Sequence, residues 1–365
     1  MSDIDKQVSM RKSMALLSQL LLGPQDLKIE LRRKLLDLSH EEFGHFIELA
    51  HLNHVIVRSL SVLLESKDEG SGNIERIELA RETFDAEQAR IRTAILFLHE
   101  VCQSLEKHGH NVVVIKSLDH WPDLGSDLDL YTNSNPSDIC GFMTEQFHAT
   151  LAQRSWGDRL ACKWNFMIPG LPEAIEIHIG RLGQTGEQAA IASSLVERSM
   201  RMQIYSQTFR IASIADRVMI STLQRMYRHF FFRLCDVVDS AQIIDAGLVD
   251  YEALRDQATQ AGIWEGVATY LKIVSDYVKN YRGTGPELPQ FVKDAARFGG
   301  ETVYYGNSFL RVPIMPQSVG LYRSQLAGVL KRGELQNGAR LSLLPWLATA
   351  AALGYKLTGS DKGIW

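Results

Sequence analysis

The sequence predicts an α+β protein in which a small mixed β-sheet is flanked by N- and C-terminal helical regions. From residue 14 to 100, leucine and other apolar residues recur at helical spacing with few glycine or proline breaks. From 111 to 133, two apolar strand patterns are separated by a polar turn that contains proline and glycine. A chain of 365 residues can form two or three domains. We expect a helical region at 1–105, the sheet at 106–205, a second helical region at 206–300 and a tail at 301–365.

The N-terminal region is expected to contain several helices, a loop at Lys67–Asn73 and one long helix at Glu75–Gly109. Three histidines lie close together before the loop, at His45, His51 and His54. The His-Glu-x-x-His pattern of zinc proteases is absent here. We therefore favour a surface or packing role for these histidines over metal binding.

The central motif begins with Val112–Ile115, an uninterrupted β-branched run typical of a buried strand. In the following strand, Asp127 and Asp129 alternate with Leu128 and Leu130. Residues i and i+2 of a strand share a face and lie about 7 Å apart, so the two carboxylates project together. They could be solvated turn residues, or they could form an oxygen-rich site of the kind that binds Mg²⁺.

A third carboxylate favours the metal interpretation. The strand pattern Ala174–Ile179 places Glu176 and His178 on one face. If this strand lies beside the one that carries Asp127 and Asp129, three carboxylates form one cluster. Such a cluster can hold two metal ions about 3.5–4 Å apart and so activate a nucleophile and stabilise the leaving oxygen of a phosphoryl group.

The segment between these strands predicts a helix at Asp138–Arg154 and a strand at Arg159–Ile168. The turn dipeptide Pro169-Gly170 would join that strand to the Glu176 strand as a hairpin. In that hairpin Lys163 lies near Glu176, where it could bind phosphate or form a cross-strand ion pair.

A second informative segment, Asp216–Asp245, is predicted to be one helix with an apolar face. Its charged side carries cations that could neutralise a triphosphate, as arginine clamps do in phosphoryl transfer. The same residues could instead form ion pairs on a solvated face. They are Arg225, Arg228, His229 and Arg233, followed by Asp236 and Asp239.

The order of these motifs resembles the nucleotidyltransferase superfamily typified by DNA polymerase beta, and more narrowly a bacterial family of uncharacterised nucleotidyltransferases. The resemblance covers roughly residues 45–250 and makes 106–205 the nucleotidyltransferase core. Its motifs are moderately specific in combination and weak singly. The matching segments are Phe46–Leu64, Val112–Ser117, Ser126–Leu130, Glu176–His178 and Asp216–Asp239.

The resemblance implies a metal-dependent transfer of a nucleoside monophosphate from a nucleoside triphosphate such as ATP to an acceptor hydroxyl, with release of pyrophosphate. Asp127, Asp129 and Glu176 would be the catalytic carboxylates that bind Mg²⁺ or Mn²⁺. The acceptor could be a small molecule, a protein side chain or an RNA end. The implied nucleotide-binding residues are Lys116, Ser117, Ser126, Lys163, Arg225 and Arg228.

One position departs from the superfamily pattern. Glycine followed by glycine or serine normally ends the first strand, and this chain has Lys116-Ser117-Leu118. Ser117 could still offer its hydroxyl and amide to a phosphate, although without glycine the backbone does not easily adopt a positive φ there. The alternative is therefore a catalytically impaired nucleotide-binding or interaction protein on the same fold.

Composition and the chain ends narrow the setting. The net charge of −4 gives no global attraction to nucleic acid. Four scattered cysteines without a Cys-x-x-Cys pair, together with the lack of a signal-like N-terminus, indicate a reducing, cytoplasmic compartment.

The apolar segment Leu341–Tyr355 is too short to span a bilayer, which needs about 20 residues. It could pack on the protein or make peripheral membrane contact.

Overall fold

A computed structural model describes residues 3–65, 73–306, 308–347, 349 and 350, with side chains described from residue 10 onward. Within these residues, helices flank a mixed β-sheet, so the predicted α+β class is confirmed. The predicted loop at Lys67–Asn73 lies outside the described residues except for Asn73.

The N-terminal region is helical as predicted, and its leucines, among them Leu17, Leu20 and Leu35, are fully buried. Ser39 begins the third helix with a capping box, because its hydroxyl accepts a hydrogen bond from the Glu42 amide while the Glu42 carboxylate accepts one from the Ser39 amide. The helices are α1 (Asp3–Leu22), α2 (Lys28–Leu36), α3 (His40–Leu52), α4 (Ile56–Leu64) and α5 (Ile74–Lys107).

The large sheet, as far as the chain is described, has seven strands in the order β3-β4-β5-β2-β1-β7-β6. These strands are β1 (Val112–Val114), β2 (Asp127–Thr132), β3 (Thr150–Leu151), β4 (Lys163–Met167), β5 (Ala174–Ile179), β6 (Met200–Ile204) and β7 (Gln207–Ile211). Strand β2 pairs antiparallel with β1 and parallel with β5, and β4 forms the predicted hairpin with β5. The sheet therefore continues past residue 205 to Ile211.

The predicted helix Asp138–Arg154 and the predicted strand Arg159–Ile168 are each wrong at one end. The helix stops at Phe147 because His148 takes a left-handed φ of +50°. The strand begins only at Lys163, after a short helix. The helices in this part of the chain are α6 (Pro136–Phe147), α7 (Trp156–Ala161) and α8 (Ala189–Arg198).

The single helix predicted at Asp216–Asp245 is wrong. The segment forms α9 (Ile214–Thr222), a π-helix (Leu223–His229), β8 (Phe231–Phe232) and α10 (Leu234–Asp245). Strand β8 pairs antiparallel with β10 (Phe309–Arg311), which also pairs with β9 (Tyr304–Gly306). Strand pairing with a segment almost 80 residues away thus interrupts a local helical pattern.

The C-terminal region contains the helices predicted between 251 and 298, and further helices follow them in the described part of the chain. The helices are α11 (Tyr251–Ala261), α12 (Trp264–Arg282), α13 (Gln290–Ala295), α14 (Val319–Lys331) and α15 (Leu335–Ser342). None of the helices in the described residues has the length and apolar character needed to cross a membrane. The apolar segment Leu341–Tyr355 lies partly outside those residues, and its peripheral membrane contact stays a prediction.

Candidate functional site

The three predicted carboxylates border one cleft with a volume of about 200 Å³. A larger groove of about 800 Å³ lies along α5 and the β6–β7 hairpin, but none of the predicted site residues lines it. The cleft is lined by His54, Lys116, Ser117, His120, Gly125, Ser126, Asp127, Asp129, Lys163, Glu176, Gln224, Arg225, Arg228, His229 and Arg233.

One side of the cleft is formed by strands β2 and β5. Asp129 and Glu176 are directly paired in the parallel register of these strands, while Leu128 and Leu130 are fully buried on the opposite face. Asp127 lies at the start of β2 and is exposed. We call Asp127, Asp129 and Glu176 the acidic wall. The alternation read from the sequence thus places the carboxylates together as expected.

The turn after β1 is tighter than the sequence suggested. Lys116 has φ +61° and ψ −58°, and the Ser117 amide donates a 2.6 Å hydrogen bond to the Ile115 carbonyl. This is a γ-turn, a conformation that is rare and strained for a residue with a side chain. The positive φ that we expected only with glycine therefore falls on Lys116.

The strained turn points the Lys116 ammonium into the acidic wall. Its Nζ donates to Asp129, lies 3.2 Å from Glu176 Oε1 and lies 3.2 Å from His178 Nε2. One ligand atom each from Asp129, Glu176 and His178 lie within 4.8 Å of one another. Lys116 is thus an internal cation at the position where this cluster would hold a metal ion.

The charges of the acidic wall depend on two lysines. Burial alone would lower the pKa of Lys116, but the Asp129 and Glu176 carboxylates more than offset it and raise that pKa. Burial would raise the pKa of Glu176, but Lys116 and Lys163 hold it well below its usual range. At neutral pH, Glu176 and Lys116 are therefore both charged.

Lys163 and Asp127 differ in how they are paired. Lys163 Nζ donates a 2.7 Å hydrogen bond to Glu176 Oε2, which is the cross-strand ion pair considered above. Burial and the nearby Arg228 and Lys116 lower the pKa of Lys163 despite this partner. Asp127 has neither a hydrogen bond nor an ion pair through its side chain among the described residues. Although Asp127 is exposed at the strand end, partial loss of water on its cleft side and the neighbouring Asp129 and Glu176 carboxylates raise its pKa.

The two serines predicted to bind nucleotide have different environments. Ser117 is buried, and its hydroxyl donates to the Asp127 carbonyl at 3.2 Å and accepts from the Asp129 amide at 2.7 Å. Its own amide is used in the γ-turn. The hydroxyl that we expected to meet a phosphate therefore holds the turn against β2, and the amide closes the γ-turn. Ser126, in contrast, is exposed at the edge of the cleft.

The opposite side of the cleft is formed by the π-helix and the residues after it, and we call Arg225, Arg228, His229 and Arg233 the basic wall. Arg225 is buried and its Nε lies 2.7 Å from Asp236, so it is ion-paired within the core. Neither Arg228 nor Arg233 has an ion-pair partner in the part of the chain that the structure describes. Among the cations that line the cleft in the described part of the chain, these two arginines are the ones without a carboxylate partner.

The concentration of positive charge affects the histidine of this wall. Burial and the three arginines lower the pKa of His229 well below its usual range, so its imidazole is neutral at physiological pH. Burial and the neighbouring Arg225 also lower the pKa of Arg233. Both shifts indicate a surface that would accept an anion, because an anion removes the repulsion that disfavours a further proton.

Two arginines that the sequence analysis missed hold the loop between β1 and β2. Arg90 of α5 pairs with Glu173 and with Glu87 at 2.7 Å, and donates to the Leu124 and Gly125 carbonyls. Glu87 is a local partner on the same helix, but Glu173 and the two loop carbonyls are 34 to 83 positions away, so no local motif could have indicated this role.

Arg58 of α4 is the second of these arginines. It pairs with Asp123 at 2.8 Å and with Asp239 at 2.6 Å, and it donates to the His120 carbonyl at 2.7 Å. The N-terminal helices, the central loop and α10 are thereby linked through one buried guanidinium.

The sequence grouped His54 with His45 and His51, but in the structure His54 lies beside His120 and Cys235. One ligand atom from each of His54, His120 and Cys235 lies within 4.8 Å of the others. Burial and the nearby Arg233 lower the pKa of His54 to about 2. Burial would lower the pKa of His120 too, but Cys235 and Asp239 raise it well above its usual range.

The acidic wall fits the divalent cation that the resemblance implies. Its donors are carboxylate oxygens, the ligands that Mg²⁺ and Mn²⁺ prefer, and Asp127 has a carboxylate with no partner within the described chain. The Lys116 side chain is long and flexible enough to leave the cluster when an ion enters. The whole cleft therefore combines oxygen donors on one side with unpaired cations on the other.

Comparison with known proteins adds no further constraint. No protein-family model, curated protein or solved structure matches this chain.

Proposed function

We propose that this protein is a metal-dependent nucleotidyltransferase that moves a nucleoside monophosphate from a nucleoside triphosphate to an acceptor hydroxyl. The observation that carries the proposal is the opposition of the acidic wall to Arg228 and Arg233 across one cleft. A metal-bound triphosphate needs both surfaces, because its metal requires oxygen ligands and its phosphates require cations. We assign the activity to the cytoplasm, and the four free cysteines agree with a reducing compartment.

Asp127 and Asp129, joined by Glu176, would hold Mg²⁺ or Mn²⁺. When bound, the metal supplies Lewis-acid stabilisation of phosphoryl oxygens and lowers the pKa of the acceptor hydroxyl. The protein itself fixes the donors in advance: the strand pairing sets Asp129 beside Glu176, and the Ser117 hydroxyl ties the turn to β2. Such fixed donors need no reorganisation during the reaction.

Arg228 and Arg233 would bind the triphosphate oxygens that become pyrophosphate. The acceptor oxygen forms a bond to the α-phosphorus, and the bond from that phosphorus to the bridging oxygen breaks. Pyrophosphate leaves with the bridging oxygen, and the hydroxyl proton is released to solvent. Guanidinium groups that stay with the phosphates throughout can stabilise the charge that develops on the leaving group.

One observation favours the alternative, a nucleotide-binding or interaction protein without turnover. Lys116 already neutralises Asp129 and Glu176, as an ion would. If Lys116 stays in place when nucleotide binds, the cleft binds phosphates through its cations and no metal enters. The position of Lys116 during binding thus separates the two functions.

The test begins with calorimetric titration of ATP and the other triphosphates, with and without Mg²⁺. Pyrophosphate release is then measured with pools of small molecules, proteins and RNA as acceptors. The proposal expects Mg²⁺-dependent binding and pyrophosphate release, both lost in Asp129→Asn. Asp138→Asn is a matched control, because Asp138 is an exposed carboxylate in the first turn of α6.

Binding that is independent of Mg²⁺, with no pyrophosphate from any acceptor pool, would instead establish the alternative. Absence of triphosphate binding under both conditions would remove both nucleotide-dependent functions and leave only the interaction protein.

A further inference from the structure

A second group of potential metal ligands lies at the edge of the cleft, apart from the acidic wall. His54 follows α3, His120 lies in the turn after β1, and Cys235 is in the first turn of α10. One ligand atom of each lies within 4.8 Å of the others, and Cys235 Sγ is 3.7 Å from His120 Nε2. Three segments that are distant in sequence therefore bring together one sulfur and two imidazole nitrogens.

The residue before His54 explains why the group forms. The Asn53 side-chain oxygen accepts the Leu234 amide at 3.0 Å, and its backbone oxygen accepts the Cys235 amide at 3.2 Å. Asn53 thus caps the N-terminus of α10, where free amides need acceptors. The cap fixes His54, which has φ +52°, against the turn that carries Cys235.

His120 is oriented as a metal-binding histidine usually is. Its Nδ1 lies 2.5 Å from Asp239 Oδ2 and donates a proton to it, while Nε2 faces Cys235 and would lose its own proton when a metal ion binds. Metal-binding histidines commonly donate their second ring nitrogen to a carboxylate, which fixes the tautomer and the ring orientation. Asp239 is itself held by Arg58 at 2.6 Å.

His54 has a ring nitrogen that lacks a hydrogen-bond partner within the described chain. This nitrogen, Nδ1, is buried. A buried polar atom without a partner costs about 1–3 kcal/mol. Binding of a metal ion to this group would be one way to satisfy the histidine. The ring also packs closely against Gly125, where an added Cβ would lie only 3.2 Å from His54 Cε1.

The position of Cys235 favours a ligand over a nucleophile. Its side chain is fully buried, with 0% exposure, and it does not line the cleft. A substrate in the cleft could not reach its sulfur. His54 and His120 do line the cleft, so an ion between the three residues would be reached from that side.

We propose that His54, His120 and Cys235 form a binding site for Zn²⁺ or a similar borderline-soft divalent ion. Tetrahedral zinc with typical Zn–S and Zn–N bonds places sulfur and nitrogen about 3.5 Å apart, close to the 3.7 Å between Cys235 and His120. Three protein ligands leave the fourth position for water from the cleft.

The charges on the His120 side of the group also suit a divalent ion, while Arg233 lies on the His54 side. Zinc with one thiolate and two neutral imidazoles carries a single positive charge, which the Asp239 carboxylate balances. The neighbouring Arg58 and Asp123 neutralise each other at 2.8 Å. The site is distinct in kind from the acidic wall, because thiolate and imidazole select zinc whereas carboxylates select magnesium.

Titration of the metal-free protein with Co²⁺ or Zn²⁺ tests the site without any assay of activity. We expect one equivalent of Co²⁺ to produce a thiolate-to-cobalt charge-transfer band together with the visible bands of tetrahedral cobalt, and Zn²⁺ to displace both. Cys235→Ser should abolish the charge-transfer band. Asp239→Asn should weaken binding by about 10–100-fold, the usual effect of losing an outer carboxylate. Cys102→Ser, which replaces another buried cysteine, is the matched control.

A His54→Gln variant guards against misfolding, because glutamine keeps polarity at a position that borders the cleft. It should retain the circular dichroism spectrum of the wild type and lose tight Zn²⁺ binding. The proposal is overturned if the wild type shows no thiolate band with Co²⁺, or if the Cys235 and His54 variants bind Zn²⁺ as tightly as the control. Since Mg²⁺ and triphosphate are absent from this experiment, its failure would leave the nucleotidyltransferase proposal intact.

Discussion

The two walls of the cleft lie on different kinds of backbone, and this difference determines how well the position of each wall could be predicted from the sequence. The acidic wall lies on paired strands, where the register sets Asp129 opposite Glu176. The basic wall lies on a π-helix followed by a short strand, where the spacing of side chains departs from the regular helix. Carboxylates on strands are therefore fixed by hydrogen-bonded pairing, whereas the orientation of Arg225 and Arg228 depends on how one irregular segment packs.

The walls also differ in their internal charge balance. The acidic wall has its own cation, Lys116, and Glu176 has a second one in Lys163. In the basic wall only Arg225 has a carboxylate partner among the described residues, and Arg228 and Arg233 face the cleft without one. One wall is nearly neutralised and the other remains cationic, so an incoming triphosphate meets a net positive surface.

The largest effect is expected from the acidic wall. Asp127→Asn or Asp129→Asn should lower pyrophosphate release by several orders of magnitude while the protein stays folded. Metal-assisted stabilisation is worth several kcal/mol, and each 1.36 kcal/mol is about a factor of ten in rate. The measurement is turnover at limiting Mg²⁺ beside thermal unfolding of each variant. Full turnover in both variants would mean that these carboxylates hold no catalytic metal.

Lys116→Met tests whether the internal cation and a metal compete for the same place. Removing one partner of a buried ion pair costs about 3–5 kcal/mol, so the free energy of unfolding should fall by that amount without metal. Mn²⁺ should restore much of the loss, because it would neutralise Asp129 and Glu176 in place of Lys116. Urea unfolding with and without Mn²⁺ measures both effects.

The opposite outcome is equally informative for Lys116→Met. If Mn²⁺ leaves the stability of this variant unchanged, the acidic wall does not bind the ion even when its competitor is gone. The alternative function, a cleft that binds nucleotide through cations alone, would then be preferred.

Arg225 and Arg228 have different roles in the basic wall, and alanine substitutions should distinguish them. The sequence treated Arg225 and Arg228 alike, but only Arg225 is paired within the core. Arg225→Ala should cost about 3–5 kcal/mol of stability because it leaves Asp236 buried and unpaired. Arg228→Ala should cost less than about 1 kcal/mol of stability, yet weaken triphosphate binding by about 1.5–3 kcal/mol.

Calorimetric titration with triphosphate and with nucleoside, beside chemical unfolding, checks this arginine pair. Nucleoside affinity should be unchanged in Arg228→Ala, since only the phosphates carry the charge that Arg228 pairs with. Equal triphosphate affinity in Arg228→Ala and the wild type would remove Arg228 from the site.

The contrast between the two walls also explains which parts of the fold the sequence could predict. The alternation of Asp127 to Leu130 and the pattern at Ala174–Ile179 specify two half-buried strands, and the carboxylate cluster follows once they pair. The helical pattern of 216–245 failed because Phe231 and Phe232 pair with a strand near residue 310. Local periodicity contains no information about such a partner.

The functional residues that the sequence did not indicate were missed for the same reason, because distant contacts determine their roles. Apart from the pair between Arg90 and Glu87, the ion pairs and carbonyls through which Arg58 and Arg90 act are 34 to 181 positions away. The γ-turn at Lys116 was missed because glycine was assumed to be necessary for a positive φ, whereas hydrogen bonds and ion pairs hold a lysine there. Tertiary contacts, not local propensity, decide these positions.

The smallest expected effect is the pH dependence of stability that His229 causes, and it measures the positive charge of the basic wall. The pKa of His229 is held below the unfolded value of about 6.5 by burial and by three arginines. Below that pH the unfolded chain binds a proton that the native state refuses, so stability rises with pH in this window and falls on acidification. His229→Gln removes the titrating imidazole and with it this pH dependence. Below pH 6.5, the free energy of unfolding of the wild type should therefore fall relative to that of the variant by at most about 1.4 kcal/mol per pH unit.

Nucleotide should reverse the suppression of the His229 pKa. A triphosphate held by Arg228 and Arg233 would place negative charge beside the imidazole and cancel much of the repulsion that now disfavours its proton. The pKa of His229, followed by NMR through its ring protons, should therefore rise when ATP and Mg²⁺ saturate the cleft, and nucleoside alone should not move it. An unchanged pKa with bound triphosphate would mean that the phosphates do not reach the basic wall, and the pairing of the two walls would no longer support the proposed reaction.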